Sequence, residues 1–287
     1  MPRLPDRSSR AFSLLIPVIL PALLLVLAIC GPAIRAEAAS AGGAAKPSTP
    51  IRLGVMKGPE AEVAEVVKTV AAARGLPVEL VTYTDYSQPN AALARGEIDA
   101  NAFQHRPFLE AEIAAKGYDL VSIGYTMVQP MGIYSRNYKQ LRDLPDGARI
   151  AIPEDLSNGG RALRLLAERA MIGLAPGAKL TPTPKDVMIN TRKFQFVQLP
   201  ADQVAGAIDL VDAAAINGNY AQAAGLDPRS DTIAIENRRS NPYGNILVVR
   251  RLDQDRIDIH TLLEAFQSPE VAAFLNTRFQ GAFLPAW

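Results

Sequence analysis

From Ile51 onward, apolar and polar positions recur with the two periods that separate strands from helices. Ile51 to Met56 predicts a short apolar strand. Gly58-Pro59 then turns the chain into a helix whose Val63, Val66, Val67 and Val70 share one face, and Gly75 stops it. A second strand is predicted over Val78 to Tyr83, a short helix around Ala91 to Ala94, and a third strand over Ile98 to Phe103. Strands alternating with helices of this length imply a parallel sheet with right-handed crossovers.

The same logic returns after residue 140. Arg149 to Ile152 and Phe194 to Gln198 are strand-like, and Arg161 to Ala170 predicts a helix with Leu163, Leu166 and Ala170 on one side. Ala91-Ala-Leu-Ala-Arg-Gly-Glu-Ile-Asp-Ala-Asn101 and Ala205-Gly-Ala-Ile-Asp-Leu-Val-Asp-Ala-Ala-Ala215 each place an Ala-rich helix before a strand entry. As a repeat this is weak, but it agrees with two similar lobes. The tail supplies a strand over Asn245 to Arg250 and helices over Ile257 to Phe266 and Val271 to Phe279. If that tail returns to the first lobe, two strands link the lobes as a hinge. A ligand cleft is then expected where the strand ends of the two α/β sheets face each other.

The N-terminus follows a different rule. Arg3, Arg7 and Arg10 precede an apolar stretch from Ala11 to Cys30, the order of an export signal, assigned to residues 1–38. A membrane anchor is the alternative, since about 20 apolar residues span a bilayer, but Pro17 and Pro21 interrupt the stretch. Cys30, the only cysteine, ends it where a lipoprotein carries its acylated thiol, while bulky Ile29 stands where such processing normally needs a small residue. Lipidation of Cys30 and ordinary cleavage around Ala36-Glu37-Ala38 therefore both stay open. Residues 39–50, rich in Ala, Gly, Ser and Pro, predict a flexible tether.

Composition narrows the function classes. With 30 Lys+Arg against 29 Asp+Glu, 48% hydrophobic and 21% charged residues, the chain of 287 residues has no basic excess suited to nucleic acid. Its two histidines, His105 and His260, are too few and too far apart for a catalytic metal. No nucleophile elbow surrounds Ser87 or Tyr86, and Asn158-Gly159-Gly160 lacks the Lys-Ser/Thr ending of a phosphate loop. No catalysis and no cofactor are expected.

Several stretches carry a resemblance. Asp99-Ala-Asn-Ala-Phe-Gln-His-Arg-Pro-Phe108, Pro130-Met-Gly-Ile-Tyr-Ser135, Asn158-Gly-Gly-Arg-Ala-Leu163, Ala215-Ile-Asn-Gly-Asn-Tyr-Ala221, Asn241-Pro-Tyr-Gly-Asn245 and Ala265-Phe-Gln-Ser-Pro269 occur in this order. Together they resemble the methionine-binding lipoproteins of the methionine ABC transporter, the NlpA lipoprotein family, over essentially the whole mature chain. The resemblance implies an α/β, two-lobed, periplasmic-binding-protein-like fold with two crossover strands as hinge. Residues 51–132 and 246–287 are assigned to lobe 1 and residues 133–245 to lobe 2.

It also implies a site. Arg161 matches the carboxylate-binding arginine, a role its rigid fork suits, and it is expected at the opening of a helix, where free backbone N–H groups also favour an anion. Asn217 and Asn245 match the polar clamp on the ligand backbone, since an amide both donates and accepts. Tyr86, Phe103, His105 and, more weakly, Phe108 match the side-chain pocket, where aromatic rings favour a thioether by about 0.3 to 1.5 kcal/mol. Phe108 stands where the family commonly has tyrosine, Leu156 replaces a usual proline, and Asn241 and Gly244 depart within the hinge motif. The implied function is capture of methionine, with the choice between the L- and D-forms left open by the sequence, and delivery to an ABC permease and its ATPase. The protein is expected to be a monomer, exported to the periplasm or the outer face of the cell membrane. Another amino acid or a methionine-containing dipeptide is the alternative ligand; a periplasmic enzyme or a surface adhesin is the more distant alternative.

Overall fold

The computed structural model describes residues 49–239 and 241–287. The export signal, Cys30 and all but the last two residues of the tether lie outside the described residues. The chain first lays down β1 (Ile51–Met56), α1 (Pro59–Ala73), β2 (Val78–Tyr83), α2 (Ser87–Ala94), β3 (Ala100–His105), α3 (Arg106–Lys116) and β4 (Leu120–Val128). It continues with β5 (Gly132–Tyr134), β6 (Arg149–Pro153), α4 (Leu156–Glu168), β7 (Gly173–Leu174), β8 (Val187–Ile189), β9 (Gln195–Leu199), α5 (Ala201–Val204), β10 (Ala213–Ile216), α6 (Gly218–Ala223) and β11 (Thr232–Ile235). It ends with β12 (Gly244–Arg250), α7 (Ile257–Phe266), α8 (Pro269–Phe279) and β13 (Leu284–Pro285).

The larger strands sort into two sheets. The first has the order β13-β4-β12-β3-β1-β2 and the second β11-β5-β10-β6-β9. The chain passes between them twice, through 129–131 after β4 and through 236–243 before β12. In the first sheet β1 pairs in parallel with β2 and β3, and β12 runs antiparallel between β3 and β4. With that antiparallel strand the tail returns to the first sheet, the condition on which two linking segments depended.

Burial explains why these segments hold. Ile51, Leu53 and Val55 of β1 are buried with Val63, Val67 and Ala71 of α1 and with Ile259, Leu262, Val271 and Leu275 of α7 and α8. Each such aliphatic side chain contributes roughly 1.5 to 3 kcal/mol on leaving water. Val66 and Val70 pack at the margin of this cluster instead of inside it. The opposite face of the sheet buries Ala92 and Leu93 of α2 and Leu109 of α3. In the second lobe, α4 covers one face with Ala162, Leu163 and Leu166, while Val204 and Ala221 belong to the cluster on the other.

Two of the boundaries that differ from the pattern have a local cause. β3 begins at Ala100, because the Asp99 carboxylate turns back to accept hydrogen bonds from the Arg52 backbone (2.9 Å) and guanidinium (3.0 Å). α4 begins at Leu156, where Asp155 caps it by accepting from the Asn158 N–H at 2.8 Å. Among the described residues no helix is long and apolar enough to cross a membrane.

Candidate functional site

Between the lobes lies a cleft of about 320 Å³, its opening to solvent included. Glu60, Tyr86, Phe103, Gln104, His105, Phe108 and Asn245 line it from elements of the first sheet, and Asn158, Arg161, Asn217, Gly218 and Asn219 from those of the second. Gln129, on the first crossover, completes the wall. Tyr86, Phe103, His105, Phe108, Arg161, Asn217 and Asn245, chosen from sequence, are therefore brought together. His260 is exposed on α7, far from this role.

One half of the cleft is aromatic. The Tyr86, Phe103 and Phe108 rings stand 5.9 Å apart, centroid to centroid, with Phe108 edge-on to both others. Phe103 sits near the C-terminal end of β3, and the chain turns at His105 straight into α3, which delivers Phe108. Under them, buried Asn90, Asn101 and Gln104 hydrogen-bond one another and tie α2 to β3.

The other half is polar and its roles can be assigned. His105 Nδ1 accepts from the Phe108 N–H at 3.3 Å, so the ring proton resides on Nε2 and is donated to Asn158 Oδ1 at 3.1 Å. Burial, with the Arg161 charge adding to it, pushes the imidazole down to about 3, which keeps it neutral. Asp155 orients Asn158 by accepting from its side-chain amide at 3.1 Å, and Asn158 Oδ1 accepts in turn from Asn217 Nδ2 at 2.8 Å. Asn217 Oδ1 is left buried without a partner. Asn245 sits opposite His105 in the β12–β3 register.

Arg161 is 3% exposed and lies in the second turn of α4. Its expected place at the helix opening is thus corrected: the free N–H groups of that first turn belong to residues upstream. Its charge is met elsewhere. Nε donates to Glu236 Oε1 at 2.7 Å, and Nη2 to Glu236 Oε2 at 2.6 Å and to the Gln129 carbonyl at 2.8 Å. The guanidinium also lies 4.6 Å over the Tyr243 ring. Burial alone would lower its pKa, but the Glu236 carboxylate outweighs that and raises it. For Nη1 no hydrogen bond is found among the described residues.

Sequence reasoning missed Glu60, Gln129, Asn158, Asn219 and Glu236. Asn158 and Asn219 fall within recognised stretches but were not singled out. Glu60 stands just past the C-terminal end of β1, where open α/β sheets place ligands, and that rule would have found it. Glu236 carries no local signal, because its partner is 75 positions away. Among the described residues no group of His, Cys, Asp or Glu is placed to hold a metal.

The chain is 42% identical over 250 residues to a probable D-methionine-binding lipoprotein MetQ of Vibrio cholerae, covering 87% of this chain and 93% of that one. Lipoprotein 28 of Escherichia coli K12 is 44% identical over 240 residues, covering 83% and 88%. Among solved structures, a nutrient binding protein from Burkholderia cenocepacia bound to methionine superposes with a TM-score of 0.80 at 42% identity, over 83% of this chain and all of that one. The NlpA lipoprotein family model matches residues 51–287, every folded element from β1 to β13, and the chain belongs to that family.

Proposed function

We propose that this protein is the substrate-binding component of an ABC importer and captures methionine, in either hand, between its two lobes. The carrying observation is the composition of the cleft: three aromatic rings at one end, and a buried guanidinium with unpartnered amide groups at the other. An amino acid with an apolar, sulfur-bearing side chain has that same division. In this reading Arg161 Nη1 donates to the ligand carboxylate, Asn217 and Asn245 clamp its backbone, and Tyr86, Phe103, His105 and Phe108 surround the thioether. The names of the Vibrio cholerae and Burkholderia cenocepacia relatives support the same ligand.

The role requires partners of stated kinds: a membrane permease and its ATPase, with this protein acting as an exported monomer tethered ahead of residue 51. It is not an enzyme. Both ring nitrogens of His105 are engaged and its basicity is suppressed, so the one histidine in the cleft cannot serve as a general base near neutral pH. Titration calorimetry on protein unfolded and refolded to strip bound ligand is the test. Heat and 1:1 stoichiometry are expected with L- or D-methionine and not with glycylmethionine. Absence of binding to both methionines would overturn the reading.

A further inference from the structure

Glu60 is a buried acid with no cationic partner among the described residues. It is the second residue of α1 and 3% exposed, and its Oε2 has no hydrogen-bond partner. It lines the same cleft as Arg161. Its neighbour in the same helical turn has an ordinary explanation: Glu62 accepts from Arg278 Nε at 2.6 Å on the surface. No Lys or Arg among the described residues forms such a pair with Glu60. A buried carboxyl without a counter-charge is costly when ionised, and such groups cluster where a ligand completes them.

We propose that Glu60, with Asn217 Oδ1, receives the ammonium group of the ligand and so makes the cleft selective for amino acids over the same molecules lacking the amine. This rests on the amino-acid reading of the cleft given above. Two of the cleft's unpartnered atoms, Glu60 Oε2 and Asn217 Oδ1, are acceptors suited to an N–H₃⁺ group. Arg161 is neutralised by Glu236, so a zwitterion gains its remaining charge complement from Glu60.

The protonation states make this measurable. Burial raises the Glu60 carboxyl to about 8, against smaller opposing effects of its own backbone N–H and the Gln129 amide. The other titratable groups facing the cleft keep one state near neutral pH. Burial holds the Tyr86 and Tyr220 phenols well above their usual range, His105 stays neutral, and Arg161 stays charged. An arriving ammonium therefore converts Glu60 from acid to carboxylate and expels its proton.

The experiment is calorimetry at pH 7 in buffers of different ionisation enthalpy, with methionine and with 4-(methylsulfanyl)butanoate, its deaminated analogue. The wild-type protein is expected to release about one proton per methionine bound and to discriminate against the analogue. Glu60→Gln is expected to release none and to lose ~10-fold or more of that discrimination, through weaker methionine binding. Methionine binding without proton release by the wild-type protein would overturn the assignment, and so would full discrimination in Glu60→Gln. The wild-type proton count needs no variant to fold. Failure of the wild-type protein to bind methionine at all would instead strike the underlying functional reading.

Discussion

Arg161 meets Glu236 through two short hydrogen bonds inside the protein, so an acid group entering the cleft finds a guanidinium already neutralised. Its attraction for a carboxylate then lies in the free Nη1 donor more than in net charge, which gives direction as well as strength. Removing one member of such a pair leaves the other buried and unanswered, at roughly 3 to 5 kcal/mol, whereas removing both is often nearly neutral. Arg161→Met should therefore lower unfolding stability by about that much, and Arg161→Met with Glu236→Leu should recover only part of it, because the Met131 N–H then loses its acceptor. Methionine affinity should be lost in both proteins. Urea unfolding and calorimetry on the same preparations separate the two effects; a stable double variant that still binds methionine would remove Arg161 from the site.

Helix α4 shows how far a site is legible in its element. The hydrophobic period places Leu163 and Leu166 on the core face, and they are buried there, yet the pattern starts the helix five residues late. The missing turn, Leu156 to Gly160, faces the cleft and a neighbouring loop instead of a core, so it is polar and glycine-rich and carries no apolar signal. β1, β2 and α7 were legible to the residue because their burial is continuous or one-sided. α3 and β4 were not predicted: α3 buries only Pro107, Phe108 and Leu109 at its first turn, and β4 has a long half-exposed middle. Gly160 shows what the glycines are for. A Cβ there would come within 2.7 Å of the Thr181 Cα and 2.9 Å of the Pro182 nitrogen, which are backbone atoms that cannot swing aside. Gly160→Ala should displace α4 together with Arg161, costing about 1 to 3 kcal/mol of stability by overpacking and weakening methionine binding. Gly206→Ala, where an added Cβ meets nothing within 4 Å, is the control expected to bind normally. Equal behaviour of the two variants in thermal melts and calorimetry would count against a packing role for Gly160.

The two lobes communicate through contacts that no local pattern could reveal. Arg161 holds the Gln129 carbonyl on the first crossover and Glu236 on the second, and Glu236 Oε2 also accepts from the Met131 N–H at 2.8 Å. The proposed carboxylate site is thereby fastened to both segments about which the lobes would turn. Across the cleft, the Tyr86 hydroxyl donates to Asn219 Oδ1 at 2.6 Å and the Tyr220 hydroxyl to the Thr84 carbonyl at 3.1 Å, with the two rings 4.8 Å apart. These pairs span 133 and 136 positions of sequence, which is why the resemblance supplied Tyr86 as a pocket wall and not as a bridge. Closure is favoured only by contacts that the joined lobes make and the separated lobes lack, and these hydroxyls are such contacts. Tyr86→Phe with Tyr220→Phe keeps both rings and deletes both bridges, each worth about 0.5 to 1.5 kcal/mol net. Methionine should still bind, with Kd raised roughly 5- to 150-fold and the change residing in faster dissociation, since the aromatic wall that meets the ligand is unchanged. Stopped-flow dissociation should show the faster release, and small-angle scattering at equal saturation should show a larger radius of gyration than the liganded wild-type protein. A dissociation rate equal to that of the wild-type protein would mean that the hydroxyl bridges do not hold the lobes together around the ligand.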